Sequence, residues 1–182
     1  MLQALLEERF RVKLRHESRE TAAYVLALGK SGPRMKGYAS AMPPEVTEAT
    51  PKRMAGMGAD GFFLIPEGYA AGIMATMNGR TGIVLARMPL ASLCRRLAGV
   101  LKAPVVDRTG LGGRYDARLV FAADAAPVPA DGEAGGGAPA ASDPAPSLFR
   151  ALEAQLGLKL EWKKTAVDFL VVESAERRPL EN

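Results

Sequence analysis

The sequence is poor in the residues that carry much of protein chemistry. It has one histidine and one cysteine among 182 residues. A single cysteine cannot form an internal disulfide, and Cys94 occupies an apolar position of a predicted helix, which favours a buried structural thiol. Any Ser-His-Asp or Cys-His site would have His16 as its only histidine base, and no serine lies in a Gly-x-Ser-x-Gly elbow. These shortages argue against a conventional serine or cysteine hydrolase.

Aromatic residues and surplus charge are also scarce. Aromatic residues make up 6% of the chain, and Lys plus Arg exceed Asp plus Glu by 24 − 20, a formal net charge of +4. The basic residues are scattered, so the chain has neither a basic arm nor stacking platforms, and we expect no nucleic-acid binding. Arg11, Lys13 and Arg15 alternate with Val12 and Leu14, which is typical of the solvated face of a strand. Binding of that face to an anionic surface or polymer is the alternative.

Long hydrophobic runs are missing as well. No segment reaches the length of a membrane span, and the first residues lack the basic and apolar regions of a signal peptide. The sequence as written therefore predicts a cytoplasmic chain without a transmembrane segment. Met1 and Leu2 already belong to a helical pattern without a preceding capping residue, so either the helix is uncapped or the reading frame begins inside a longer ancestor.

One pattern occurs twice without a gap, at residues 1–14 and 147–160. The matched pairs are Leu2/Leu148, Leu6/Leu152, Glu7/Glu153, Phe10/Leu156 and Lys13/Lys159. Apolar spacings of four change to spacings of two within each copy, which predicts a short helix that runs directly into a strand. A weaker third copy lies between them. Recurring helices between antiparallel strands predict an α+β fold of repeated helix–strand–strand units, with an antiparallel or mixed sheet and the helices packed on one face.

Composition divides the chain into four predicted parts. They are a first helix and hairpin unit at residues 1–33, with a turn at 17–20; an irregular Met/Pro/Gly-rich segment at 34–81; an α+β domain at 82–174, with a helix at 90–101 and a turn at 163–165; and a tail at 175–182. Residues 122–146 form a Pro/Ala/Gly tract within the third part. Such a tract lacks the apolar side chains that offset the entropy of ordering, which predicts a disordered linker.

The strongest candidate chemistry lies around a glycine-rich turn between Asp107 and Asp116. If the two carboxylates face each other across a hairpin, they form an acid and base pair or two oxygen ligands for a hard cation such as Ca²⁺. His16 could assist in catalysis. The residues around the turn complete a candidate binding site: Arg108, Thr109, Gly113, Arg114 and Tyr115. A turn fastened by an Asp–Arg ion pair is the structural alternative.

The string Asp107-Arg-Thr-Gly-Leu with Gly113-Arg-Tyr-Asp116, together with residues 1–36 and 146–160, resembles a large family of soil-bacterial, acidobacterial-type proteins of unknown function. The resemblance implies export or membrane tethering, and it implies a leader and a further strand-bearing segment before the position of Met1. Loss of that segment would expose a strand edge, through which a homodimer could form. More distantly, residues 83–172 look like the short N-terminal domain of secretins and TonB-dependent receptors, which implies docking.

Two functional hypotheses follow from these observations. The first is a non-enzymatic module that docks a protein partner or a small molecule in the bacterial envelope, without a cofactor, through strand edges and the Met-rich segment. The alternative is a small hydrolase of ester, lactone or glycosidic bonds. It would use Asp107 and Asp116 as acid and base or as ligands of Ca²⁺.

Overall fold

The computed structural model describes residues 10–39, 41, 45–49, 51–123 and 145–176. The elements in chain order are β1 (Lys13–Leu28), β2 (Lys36–Tyr38), β3 (Gly56–Met57), β4 (Phe63–Leu64), β5 (Ala71–Met77), β6 (Arg80–Pro89), α1 (Leu90–Leu101), β7 (Val105–Asp107), β8 (Arg114–Ala122), α2 (Leu148–Ala151), a π-helical turn (Leu152–Leu156) and β9 (Leu158–Ser174). The helix predicted at residues 2–9, and most of the predicted linker and tail, lie outside the described residues. Neither helix in the described part has the length and hydrophobicity required to cross a bilayer.

The chain divides into two compact units, one of Met1–Ala22 with Lys164–Asn182 and one of Ala23–Lys163. In the first unit, the outer parts of β1 and β9 lie side by side. The N–H of Glu176 donates to the carbonyl oxygen of Phe10 at 2.8 Å, and Arg15 Nε lies 3.0 Å from Glu173 Oε1. Low residue numbers on one strand meet high numbers on the other, so the two strands are antiparallel.

The second unit contains the main core. Its four-stranded antiparallel sheet has the order β2-β8-β6-β5, and β7 pairs in parallel with β1 in a separate sheet. Ile83, Leu85, Leu119 and Phe121 share one face of the four-stranded sheet and belong to the same buried cluster as residues of α1 and α2.

Helix α1 follows from its local sequence. Its buried positions recur every three or four residues: Leu90, Leu93, Cys94, Leu97 and Leu101. Pro89 precedes the first turn, where a missing N–H costs nothing, and Lys102 ends the helix in the left-handed conformation. Each fully buried leucine contributes about 2 kcal/mol through removal of apolar surface from water. The helix predicted at residues 90–101 is therefore present over the same residues.

A short hairpin of β3 and β4 covers the other face of the four-stranded sheet. Phe62 packs there against Val84 and Val120. Its ring occupies the space that a β-carbon on Gly82 would fill. The guanidinium of Arg118 donates to both carboxylate oxygens of Asp60 and to the carbonyl oxygen of Phe62, at 2.9 Å in the last case. The hairpin is thus held to the sheet by one ring and one bidentate ion pair.

The predicted α+β fold of repeated helix–strand–strand units is wrong, because strand makes up 50% and helix 16% of the described residues, which form a β-rich structure with three sheets. The turns predicted at residues 17–20 and 163–165 do not form, and β1 and β9 run through them without interruption. Neither stretch contains the Gly, Pro, Asn or Asp that favours turn conformations. Their polar side chains instead remain on solvated strands, so long strands replace the predicted hairpins.

Candidate functional site

A cleft opens on the face of the four-stranded sheet that carries Val84 and Ala86. It has two adjoining parts of about 370 Å³ each, which share Ile65, Ala86 and Asp116. We call them the apolar part, which is the less polar of the two and reaches Leu64 and Gln155, and the polar part, which reaches Lys36 and Tyr69. Strands β2, β6 and β8 supply one wall of the polar part, and the loop residues 45–46 and 65–69 supply the other.

Asp116 lies at the junction of the two parts. Its Oδ2 accepts a hydrogen bond from the Tyr38 hydroxyl at 2.6 Å, and its Oδ1 accepts one from the backbone N–H of Arg87 at 2.8 Å. Lys36 is its partner in the register between β2 and β8. Hydrogen bonds to an ionised carboxylate are among the stronger ones in proteins, so these contacts fix the carboxylate in position.

Arg87 has an unusual backbone conformation for its residue type. Its φ is 50°, and the register between β6 and β8 shifts between Leu85 and Met88, which is a β-bulge. Arg114 Nη1 donates to the Arg87 carbonyl oxygen at 3.2 Å. A left-handed conformation costs a residue with a side chain roughly 1 kcal/mol, and bulges commonly redirect a side chain. Two residues of β8, Asp116 and Arg114, therefore hold the backbone of one strained residue of β6.

The bulge directs the Arg87 side chain towards Tyr38. The Arg87 Cζ lies 4.8 Å from the centroid of the Tyr38 ring, and Lys36 Nζ lies 5.1 Å from the same centroid. The interaction with the Tyr38 hydroxyl, aided by the charge of Asp116, raises the pKa of Lys36. Among the described residues, Arg87 forms hydrogen bonds through its backbone alone. Its guanidinium donors remain available to a ligand.

The loop wall of the polar part carries opposite charge. The Thr47 N–H donates to the Gly68 carbonyl oxygen at 2.8 Å, and the Ala70 N–H donates to the Thr47 carbonyl oxygen at 2.9 Å. This pairing brings Glu45 and Glu67 to the same wall. Both glutamates are exposed. Within the part of the chain that the structure describes, neither carboxylate forms an ion pair.

The three predicted catalytic residues lie in three different places. Asp107 ends β7, where its Oδ1 accepts hydrogen bonds from the Thr109 N–H at 2.9 Å and from the Thr109 hydroxyl at 2.7 Å. Asp116 lies in β8, in a different sheet with different partners. His16 is exposed on β1 in the other unit. Asp107 fastens its turn through Thr109, without the ion pair to Arg108 or Arg114 that we considered.

Among the predicted binding residues, Arg114 contacts the cleft directly, because its Nη1 donates to the Arg87 carbonyl oxygen, and its Nη2 lies 3.6 Å from Glu48 Oε2. Thr109 is buried, and the N–H of Arg108 donates to the Leu26 carbonyl oxygen at 2.8 Å. Tyr115 packs against the core, and a β-carbon on Gly113 would lie 2.7 Å from the Tyr38 carbonyl oxygen. These four residues shape the turn.

Most of the cleft is not apparent from the sequence. Lys36, Tyr38, Glu45 and Glu67 lie in the segment predicted to be irregular, and Arg87 lies in the predicted α+β domain ahead of its helix. The alternation of Lys36 and Tyr38 around a glycine was a possible strand signal. Arginine seldom adopts a left-handed backbone conformation, so its presence at position 87 does not predict a bulge there.

The structure does not place three or more His, Cys, Asp or Glu side chains together in a metal-binding group within residues 10–39, 41, 45–49, 51–123 and 145–176. Asp107 and Asp116, proposed from the sequence as ligands of Ca²⁺, have separate partners. Binding of Ca²⁺ by this chain stays a prediction.

Comparison with known proteins gives one match. No curated protein and no solved structure shows significant similarity to the chain. The family described as Protein of unknown function (DUF3738) matches residues 1–175, a span that includes every strand and every residue of the cleft. The chain therefore belongs to the DUF3738 family, whose function is unknown.

Proposed function

We propose that this protein is a non-enzymatic binding module, and that the polar part of its cleft binds a carboxylate group of a small molecule or of a protein partner. The observation that carries the proposal is the strained Arg87, held at φ 50° by Asp116 and Arg114 while its guanidinium has no protein acceptor among the described residues. Strained residues persist where the surroundings over-determine them, and they cluster at ligand sites.

The chemistry of the strand wall suits a carboxylate. A guanidinium offers a planar fork of donors that matches the two oxygens of a carboxylate, and such pairs are often bidentate. Lys36 adds a second positive charge beside the same Tyr38 ring. The ring limits the orientations of both cations, which lowers the entropy that a ligand must overcome.

The arrangement favours binding over hydrolysis. Both oxygens of Asp116 already accept hydrogen bonds from the protein, and Asp107 is engaged with Thr109 in a different sheet. A hydrolase that uses this pair needs both carboxylates at one substrate. Hydrolysis of p-nitrophenyl acetate that is lost in both Asp107→Asn and Asp116→Asn would favour the hydrolase instead.

The proposal retains the envelope setting that the resemblance to exported soil-bacterial proteins implies. A binding module in that setting would capture a ligand or a partner on the way to another component. The carboxylate site itself does not depend on this setting, so it can be tested with the isolated protein.

The test uses N-acetylalanine, which has a carboxylate and no ammonium group, as the probe. We expect saturable shifts of the Gly37, Tyr38 and Arg87 amide signals in ¹H–¹⁵N NMR spectra. Arg87→Gly removes the guanidinium and suits the left-handed backbone, so it should abolish these shifts while the thermal midpoint stays equal or rises. Salt should weaken the binding.

Lys102→Gly is the matched control, because Lys102 has a φ of 53° and lies at the end of α1, outside the cleft. The Lys102→Gly variant should be stabilised as much as Arg87→Gly is, and it should bind the probe as the wild type does. Absence of saturable shifts in the wild-type protein with N-acetylalanine and with alanine alike, or binding by Arg87→Gly with wild-type affinity, would overturn the proposed function.

A further inference from the structure

We infer that the ligand of the polar part is a zwitterion with a free ammonium group and a free carboxylate, of the class of α-amino acids and short peptides. This inference rests on the proposed function and specifies its ligand. It follows from the distribution of charge over the two walls of the cleft. Arg87 and Lys36 lie on the strand wall beside Asp116, whose two carboxylate oxygens already accept hydrogen bonds from the protein, whereas Glu45 and Glu67 lie on the loop wall.

The two glutamates make a purely anionic ligand unfavourable. A carboxylate bound at Arg87 would share the polar part with Glu45 and Glu67, and like charges within one cleft repel. An ammonium group on the same ligand would be attracted to the two glutamates of the loop wall, while the carboxylate of the ligand would be attracted to Arg87 and Lys36 on the strand wall. The cleft thus discriminates between ligands by the charge of the group that faces the loop wall.

Tyr69 gives the ammonium group a second contact. It lines the loop wall two residues after Glu67, forms a parallel β-bridge with Thr47, and is half-buried. Within the described residues its ring neither stacks on another aromatic ring nor lies under a cation, in contrast to Tyr38. Ammonium groups pack favourably on the faces of tyrosine rings. The loop wall therefore combines two carboxylates with one aromatic ring that, among the described residues, has neither a ring nor a cation against it.

The size of the cleft allows either a free amino acid or a dipeptide. The polar part has a volume of about 370 Å³ and adjoins the apolar part at Ile65, Ala86 and Asp116. A larger side chain or a second residue could extend from the polar part towards Leu64 and Val84 in the apolar part. Both ligand types present the same ammonium and carboxylate groups.

The experiment compares four probes by the same amide shifts: alanine, N-acetylalanine, alaninamide and alanylalanine. Alanine should bind about tenfold more tightly than N-acetylalanine, which lacks the ammonium group, and more tightly than alaninamide, which lacks the carboxylate. In the double variant Glu45→Gln with Glu67→Gln, alanine should lose this advantage. N-acetylalanine should bind the double variant at least as well as it binds the wild type.

Glu153→Gln is the matched control, because Glu153 is an exposed carboxylate in the same unit and outside the cleft. It should retain the preference for alanine. Equal binding of alanine and N-acetylalanine that still requires Arg87 would overturn the zwitterion inference and leave the proposed function intact. If none of the four probes binds, both fail. Tighter binding of alanylalanine than of alanine would support the inference and identify peptides as the source.

Discussion

Gly157 packs its α-carbon against the carbonyl group of Gly32, so closely that a β-carbon on Gly157 would overlap the carbonyl oxygen. Gly157 has a φ of 67°, ends the π-helical turn and immediately precedes β9. Its own carbonyl oxygen accepts a hydrogen bond from the Gly29 N–H at 2.8 Å. The end of the helical segment and the turn after β1 therefore meet at backbone contact distance.

We expect Gly157→Ala to destabilise the protein by about 3 kcal/mol or more, because the methyl group adds backbone strain and must displace a second backbone segment. Urea unfolding followed by circular dichroism measures the change. Gly32→Ala is the control, since Gly32 has a φ of 70° but open space around its β-carbon position. It should cost about 1 kcal/mol, from backbone strain alone. Equal losses of unfolding free energy in the two variants would show that the backbone around Gly32 shifts easily to accommodate the methyl group.

The same glycine shows which structural features local sequence could predict. The segment that begins at Leu148 is helical, ends at Gly157 and is followed directly by β9, as the change of apolar spacing from four to two predicted. The interpretation of Cys94 as a buried thiol is also confirmed. Its exposed fraction is 6%, and burial raises its pKa to about 12. Both features depend on neighbours within one or two helical turns, which is the range that periodicity reports.

The site depended on contacts at longer range. Asp116 was identified from its glycine-rich surroundings, but its partner Tyr38 lies 78 residues away in sequence and Arg87 lies 29 residues away. These contacts exist because β8 pairs with β2 on one side and with β6 on the other. Strand register is set by whole sheets and not by local composition, so the residues around Asp116 in sequence do not reveal Tyr38 and Arg87 as its neighbours.

The packing of Phe62 over Gly82 predicts that a larger residue at position 82 destabilises the protein. A β-carbon on Gly82 would overlap the Phe62 ring, and that ring is only 3% exposed, so it has little room to move. We expect Gly82→Ala to destabilise the protein by about 1–3 kcal/mol through overpacking. A thermal melt of the purified variant provides the measurement.

Gly99→Ala is the matched control for Gly82→Ala. Gly99 lies in α1 with nothing near its β-carbon position, so alanine there should stabilise the helix by about 0.5–1 kcal/mol. The two glycine-to-alanine substitutions should thus change the stability of the protein in opposite directions. A destabilisation by Gly99→Ala as large as that by Gly82→Ala would contradict the packing argument.

The ion pair that fastens the hairpin predicts a dependence of stability on pH. The hydrogen bonds from Arg118 hold the pKa of Asp60 below its ordinary value of 3.8. A carboxylate with a lowered folded-state pKa contributes stability above its unfolded-state pKa and loses it as the pH falls through the folded-state pKa. We expect Asp60→Asn to cost about 1 kcal/mol at pH 6, and this cost to vanish as the pH falls from 4 to 2.

Glu161→Gln is the control for this pH series. Its partners Lys159 and Lys163 lower the pKa of Glu161, but all three side chains are well exposed, with fractions of 39%, 47% and 52% for Glu161, Lys159 and Lys163. Solvent screens such pairs, so this variant should change little across the same range. Urea unfolding at several pH values measures both series. A constant cost of Asp60→Asn from pH 6 to pH 2 would be inconsistent with the ion pair.

The outer edge of β5 predicts a homodimer through an edge of the four-stranded sheet, whereas the sequence predicted one through an edge of the first, N-terminal sheet. Strand β5 pairs with β6 on one side and has no strand on its other side among the described residues. The Gly72 carbonyl oxygen accepts a hydrogen bond from Arg96 Nη2 at 2.6 Å, and antiparallel alternation directs the backbone groups of Met74 outward as well. The strand contains neither a charge nor a proline, the usual protections of an edge.

Two copies paired in antiparallel orientation about Met74 would place the two Met74 side chains opposite each other, and the side chain is 47% exposed. We expect the wild type to dimerise with rising concentration in sedimentation equilibrium. Met74→Lys should abolish the dimer, because it sets two ammonium groups face to face. Met57→Lys adds the same charge at a residue that is 54% exposed on β3, away from this edge, and should leave the dimer intact. A wild-type protein that stays monomeric at every concentration, or equal loss of the dimer in both variants, would remove β5 as the interface.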